Sequence, residues 1–415
     1  MTPTMTQASD ATASPERLLE GIVVCDFTRV LSGPYCTRLL ADLGADVIKI
    51  ERPGEGDEVR YIAPQMSPTA NDQSAYFARI NAGKRSIAID FTNPQAREVV
   101  LDLVRKADVV VENFSPGVMA KYRFDEPSLR AIKPDLVYCS ISGFGQTGPL
   151  RGLQAYAHLI NAFSGMMDLD RSGFLAPKAS NLQAADVLAG AHAFGAICAA
   201  LIRQIRRGQG AYLDVSMLEC LICADDVNFP ALLNDTPIER KPRVGMVVQE
   251  IGGRHVAMQV GGAANMWARM VEAMKRPDLI NDQRFATTAA RRANWGELVT
   301  LIADWLGTMT SADQALDTLG ASRVPAVPMM LAEEIVAHPH LAHRKAFPVL
   351  SHPQRPQGVR VTAAPFQLDG EAVVPQATAP WRIGEHTREV LGSVLGYDAA
   401  RIEALASGGV VKSAD

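Results

Sequence analysis

The sequence lacks an excess of charge of either sign: 41 Lys and Arg stand against 45 Asp and Glu, a formal net charge of −4, with the two signs interspersed. That leaves no electrostatic footprint for nucleic acid or an anionic membrane, and basic groups must act locally. Cysteine is also missing from any pattern that would staple a secreted fold or hold a metal. Cys25, Cys36, Cys139, Cys198, Cys220 and Cys223 are scattered through apolar stretches, as suits the buried free thiols of a cytoplasmic protein. Cys220 and Cys223 form a lone CxxC without a second ligand pair, and Pro339 interrupts His338, His340 and His343 among polar residues, so no metal is expected at either place. Long apolar runs are scarce. Residues 1–17 are polar, lack the apolar core of a signal peptide and read as a disordered tail. The one long apolar stretch, Ala184 to Ile202, contains Asp186 and His192 and is rich in Ala and Gly, which predicts a buried helix rather than a lipid-facing span.

What is present is a chain of 415 residues, 47% hydrophobic and 21% charged, enough for two domains and a large core. Residues 21–60 open as a strand, turn, helix and strand. Ile22 to Cys25 reads as a buried strand and Ser32-Gly33-Pro34 as a turn. Leu39, Leu40 and Leu43 stripe a helix, and Val47 to Ile50 is a second buried strand. A dinucleotide enzyme needs G-x-G-x-x-G at such a turn, so that backbone can approach a pyrophosphate, and the loop from Thr28 to Pro34 offers only Gly33. Glu51 stands where a ribose-binding acid would, which keeps an NAD reading open against the missing glycines.

Strand-like and helical stretches go on alternating. Strands are expected at Ser86 to Asp90, Val109 to Glu112, Leu136 to Ser140 and Tyr212 to Val215, with helices at 95–105, 126–132 and 187–205 and another from Ser216. Such alternation calls for a mostly parallel sheet covered on both faces. The predicted architecture is α/β: a large Rossmann-like domain from 18–230 and 345–415, a smaller α+β domain from 245–330, and linkers at 231–244 and 331–344.

Several runs resemble one family. They are GPYCTRLLADLGADVIKIERPGEGDEVR (33–60), NAGKRSIAIDF (81–91), ADVVVENFSPGV (107–118), ISGFGQTGP (141–149), SGMM (164–167), AADVLAG (184–190), RRGQGAYLDVSM (206–217) and RIGEHTREVLGSVLG (382–396). Together they resemble the class III CoA-transferases, the family of formyl-CoA transferases, carnitine CoA-transferases and α-methylacyl-CoA racemases. The resemblance spans nearly the whole chain in order. It implies two chains interlocked as linked rings, a CoA thioester as substrate, and no metal or redox cofactor.

Asp186 is the only carboxylate from Ala184 to Ile202, at an expected helix start. By itself that reads as an N-cap, worth about 0.5–2 kcal/mol to the fold. The AADVLAG resemblance implies instead the family nucleophile, which attacks the thioester to form a mixed anhydride and then an aspartyl-CoA thioester. The two roles are compatible, since helix-start amides favour an ionised carboxylate.

For CoA itself, the resemblance points to Arg52 at the adenine nucleotide, against a plain role as a surface ion pair with Glu51 or Asp57. Lys121 falls at a phosphate-contacting position, where it would supply a point charge rather than a planar fork. Asn113, with Phe114 and Ser115, would meet pantetheine or nucleotide, the alternative being a turn residue before Pro116. Leu31 and Ser32 would present backbone, Ile89, Asp90, Phe91 and Thr92 would line the entry, and Gln154, Ala155, Tyr156 and Ala157 complete the binding set.

Tyr156 falls where racemases of the family carry their histidine. With a pKa near ~10 it is a poor base at neutral pH. His158, two residues on, could replace it or could simply pack. Formyl-CoA transferases share a run of four glycines, where this chain has only Gly252-Gly253 and Gly261-Gly262, which removes support for oxalate and formate; Ala211 replaces a frequent Gln. The expected activity is CoA transfer from an acyl-CoA to a small or medium carboxylic acid. A racemase and a non-catalytic acyl-CoA binder are the alternatives.

Overall fold

A computed structural model describes residues 17–170, 176, 178–179, 182–225, 228–238, 244–261 and 265–414. The expected tail up to residue 16, linker residues 239–243 and Gly262 lie outside the described residues. The chain divides into two compact units, one of Met1–Asp168, Pro177–Ile238 and His340–Asp415, the other of Leu169–Ala176 and Glu239–Pro339.

The first unit alternates strand and helix: β1 (Val23–Asp26), α1 (Ser32–Asp42), β2 (Asp46–Glu51), α2 (Ala75–Asn81), β3 (Arg85–Ile89), α3 (Ala96–Lys106) and β4 (Val109–Glu112). Then come α4 (Val118–Lys121), α5 (Glu126–Arg130), β5 (Val137–Ser142), α6 (Ala157–Phe163), α7 (Met166–Asp170), α8 (Ala184–Arg207), β6 (Ala211–Ser216) and α9 (Met217–Ile222). One seven-stranded sheet runs in the order β3, β2, β1, β4, β5, β6, with the short C-terminal strand Val411–Lys412 outside β3. All neighbours are parallel except that last strand, which is antiparallel to β3. At two residues this strand is too short to show an alternation in the sequence.

Alternation along each strand feeds two cores. Cys25, Ile48, Ile50, Ile87 and Val110 face α3 and the C-terminal helices through Val99, Val104, Val390 and Ile402. Val24, Val47, Val109, Val137 and Cys139 face α1 and α8 through Cys36, Leu40, Ala189, Ala193 and Ile197. Both faces being covered explains why the strands read as continuous apolar runs. Helix α8 is long and apolar enough to cross a membrane by length and composition, yet its Ala185, Ala189, Ala193 and Ile197 face lies in this core.

The second unit has an antiparallel three-stranded sheet of Met246–Ile251, Arg254–Gln259 and Ala326–Pro328. Helices Met266–Met274, Trp295–Leu306 and Ala312–Ala321 share its core through Met270, Ile302 and Leu319.

Candidate active site

In the sheet order, β1 and β4 are neighbours from which the chain winds outward in opposite directions, and ligands of open α/β sheets bind beyond the strand C-termini at such a point. Here the loop after β1 is held by buried charge. Asp26, 0% exposed, accepts hydrogen bonds from the Thr28 amide (2.9 Å), Thr37 Oγ1 (2.7 Å) and Lys84 Nζ (2.9 Å). Burial pushes its carboxyl up, but Lys84, Lys49 and Thr28 outweigh that and hold it below the usual range. Lys84 also donates to Asn81 Oδ1 (2.8 Å) and the Pro34 carbonyl (3.1 Å), so it ties α1 and α2 to β1. Lys49 bonds the Thr28 carbonyl (2.7 Å) and Asp57 (3.0 Å). Asp57 in turn accepts from the amide of Val30, whose φ of +67° is one that β-branched residues rarely adopt. These contacts fix the backbone from Thr28 to Ser32.

Onto that loop α8 delivers Asp186. The two helices approach closely because Gly190, one turn beyond Asp186, has no side chain: a Cβ there would lie 2.5 Å from the Ser32 carbonyl oxygen. Asp186 occupies the first turn of α8, where the hydroxyl and amide of Ser32 stand near enough to its carboxylate to favour the ionised form. Asn113 Nδ2 donates to Ser32 Oγ (3.2 Å). Burial dominates the electrostatics and pushes the Asp186 carboxyl up to about 6, against the Ser32 bonds and the nearby His158. A carboxyl with that pKa is still about nine-tenths ionised at pH 7.

A cavity of about 590 Å³ spans the strand C-termini. Of the residues expected in the site, Asp186, Ser32, Arg52, Ile89, Asp90, Phe91, Thr92, Asn113, Phe114, Ser115, Gln154, Ala155 and Tyr156 line it. Leu31, Lys121 and Ala157 do not. Leu31 is buried against Val59, Phe77 and Ile80, and Ala157 is buried at the start of α6. Lys121 is exposed at the end of α4, 5.5 Å from the ring of Tyr122, and that ring does reach the cavity. Arg29, Arg151, Ser142 and Met217 also line the cavity and went unnoticed in the sequence. Their signal was positional: Arg29 and Arg151 sit in loops that leave the C-terminal ends of β1 and β5.

Four local readings change. The N-cap of α8 is Gln183, without a side-chain bond, so Asp186 is not the cap. Glu51 is taken by Arg60 in two 2.7 Å bonds and by Ser86 (2.6 Å), and although burial opposes ionisation these partners hold it at about 2; it has no oxygen to spare for a ribose. Arg52 pairs with Glu55 (2.9 Å), neither Glu51 nor Asp57, the latter two being engaged inside the fold. Asn113 is more than a turn residue: its carboxamide clasps the backbone of Arg29 through Oδ1 (2.9 Å) and Nδ2 (2.8 Å). His158 lies 3.2 Å from Gln183 Nε2, and Tyr156 is 59% exposed at the cavity wall.

Residues 19–387 match the profile of CoA-transferase family III. A succinyl-CoA:glutarate CoA-transferase of Mus musculus is 31% identical over 405 residues, covering 95% of this chain and 90% of that protein. A formyl-CoA:oxalate CoA-transferase of Streptomyces coelicolor is 31% identical over 416 residues, covering 95% and 99%. The crystal structure of a CAIB/BAIF family protein from Brucella suis superposes with a TM-score of 0.78 at 31% identity, over 91% of this chain and 99% of that one.

Proposed function

The chain belongs to CoA-transferase family III and is a class III CoA-transferase, and from that premise we propose that Asp186 carries CoA from an acyl-CoA to a free short dicarboxylic acid. The observation that carries this reading is a carboxylate held by Ser32 on a cavity wall, without an ion pair among the described residues. Its raised pKa still leaves it mostly ionised at neutral pH, and makes the carboxylate more basic than that of an ordinary aspartate.

A carboxylate oxygen of Asp186 attacks the thioester carbonyl, the C–S bond breaks, and CoA thiolate leaves a mixed anhydride. The thiolate attacks the Asp186 carbonyl of that anhydride, releasing the first acid and leaving aspartyl-CoA. The acceptor carboxylate then displaces thiolate from aspartyl-CoA, and thiolate attack on the acceptor's acyl carbon gives the new acyl-CoA and restores Asp186. Each bond broken is matched by one formed, without an electron acceptor or a metal. Partial burial of Asp186 supports restricted access of water, which would otherwise hydrolyse the anhydride. Arg29 and Arg52 suit the nucleotide end of CoA, and the acids named for the two relatives, glutarate and oxalate, motivate the dicarboxylate. We read the working form as an interlocked cytoplasmic homodimer.

Wild type incubated with succinyl-CoA and a panel of acids, with products weighed by mass spectrometry, should form the acceptor's CoA ester, and hydroxylamine should trap Asp186 as its hydroxamate. Asp186→Ala should bind CoA esters without turnover. Retained turnover in that variant refutes the assignment, and binding without turnover in wild type makes the protein an acyl-CoA binder. The placement of His158 near Asp186 favours one second reading, a racemase. Solvent deuterium entering the α-position of a 2-methylacyl-CoA without an acceptor, and lost in His158→Ala, would establish it.

A further inference from the structure

Two hydrogen-bond donors that line the cavity have no protein partner among the described residues. Ser142, the last residue of β5, is 8% exposed and its Oγ has no hydrogen-bond partner. Arg151, in the loop that leaves β5, lines the same cavity and makes no ion pair or side-chain hydrogen bond among the described residues. The other two arginines of the cavity are engaged, Arg29 with Glu58 (3.3 Å) and Arg52 with Glu55 (2.9 Å). A buried hydroxyl without an acceptor calls for an explanation, and a guanidinium lining the same cavity narrows the ligand to an anion with several acceptor atoms.

The position of this wall separates that anion from the CoA phosphates. Arg52 follows β2, and β5 lies three strands away across β1 and β4, roughly 14 Å at ordinary strand spacing. The β5 side is also the Asp186 side. The loop carrying Arg151 runs into α6, whose His158 reaches Gln183 at 3.2 Å, just ahead of Asp186 on α8. An acyl group bonded at Asp186 therefore has the β5 wall beside it, while the nucleotide extends toward β2.

Resting on the CoA-transferase reading above, we propose that Ser142 and Arg151 form a subsite for the second carboxylate of a dicarboxylic acyl group, with Arg151 supplying the charge and Ser142 a directed hydroxyl. The pair then sets the preference for dicarboxylic over monocarboxylic acids of equal length.

Glutaryl-CoA and pentanoyl-CoA, alike in chain length and differing in the terminal carboxylate, are titrated calorimetrically into wild type, Arg151→Gln and Ser142→Ala. Wild type should favour glutaryl-CoA. Arg151→Gln, an exposed position whose replacement leaves the fold intact, should weaken glutaryl-CoA by about ten- to a hundredfold and leave pentanoyl-CoA unchanged. Ser142→Ala should show a smaller loss with the same selectivity. Equal loss on both esters would place Arg151 on CoA and overturn the subsite, as would unchanged glutaryl-CoA binding in both variants. Failure of the underlying reading looks different: wild type would then transfer CoA to no acid, whether or not it binds the two esters.

Discussion

Replacing Asp186 by Asn should abolish transfer and at the same time stabilise the folded protein. The ordinary carboxyl value of 3.8 is raised to about 6 at Asp186, burial being the main cause. Each pH unit of displacement is worth about 1.4 kcal/mol, so the ionised side chain costs the fold at most about 3 kcal/mol. Part of the side chain still meets solvent in the cavity, which brings the expected gain to about 1–3 kcal/mol. The sign follows from linkage: a carboxyl whose folded pKa is raised holds its proton more tightly in the folded state, so wild-type stability falls as pH rises from about 4 to about 6 and stays lower beyond. Asn carries no charge at any pH and still accepts the Ser32 bonds through Oδ1. The gain should therefore be full above pH 6 and vanish near pH 4. Urea unfolding at fixed protein concentration, repeated from pH 4.5 to 8 beside a transfer assay, measures both effects. A variant less stable than wild type at pH 7.5, or a gain equal at pH 4.5 and 7.5, would refute burial of charge as the cause.

Two further substitutions probe the framework. Gly190→Val should push α8 away from the loop, because its Cβ would start 2.5 Å from the Ser32 oxygen; transfer should fall far more than CoA-ester binding, and unfolding should shift to lower urea, whereas an active and stable variant would show that the close approach is dispensable. Arg52→Ala should weaken CoA-ester affinity by about ten- to a hundredfold, while Lys121→Ala, outside the cavity wall, should have the smaller effect; calorimetric titration showing the reverse order would move the phosphates toward α4.

Much of the fold is legible in the chain because it depends on neighbours in sequence. The apolar runs before Asp26, Glu51 and Ser142 are strands since both sheet faces are covered, and periodicity found each to within a few residues. Asp186 could be singled out as the lone acid in an apolar helix. The partners that define its chemistry could not. Ser32 reaches it only because Gly190 lets α8 lie on α1, and Asn113 orients Ser32 from another strand. The ion pairs of Lys84 with Asp26 and Arg60 with Glu51 carry no mark in the sequence, and only packing shows them sealed inside. Lys121 looked like a CoA ligand by position in a motif, and the turn of α4 carries it off the cavity wall. Periodicity is a local property set by the 2.0 and 3.6 residue repeats, so the sequence alone determines strands, helices and the isolated acid. Which side chains meet across the C-terminal ends of β1, β4 and β5, and so how far burial raises the pKa of Asp186, depends on residues distant in sequence brought together by the sheet, and that the tertiary structure decides.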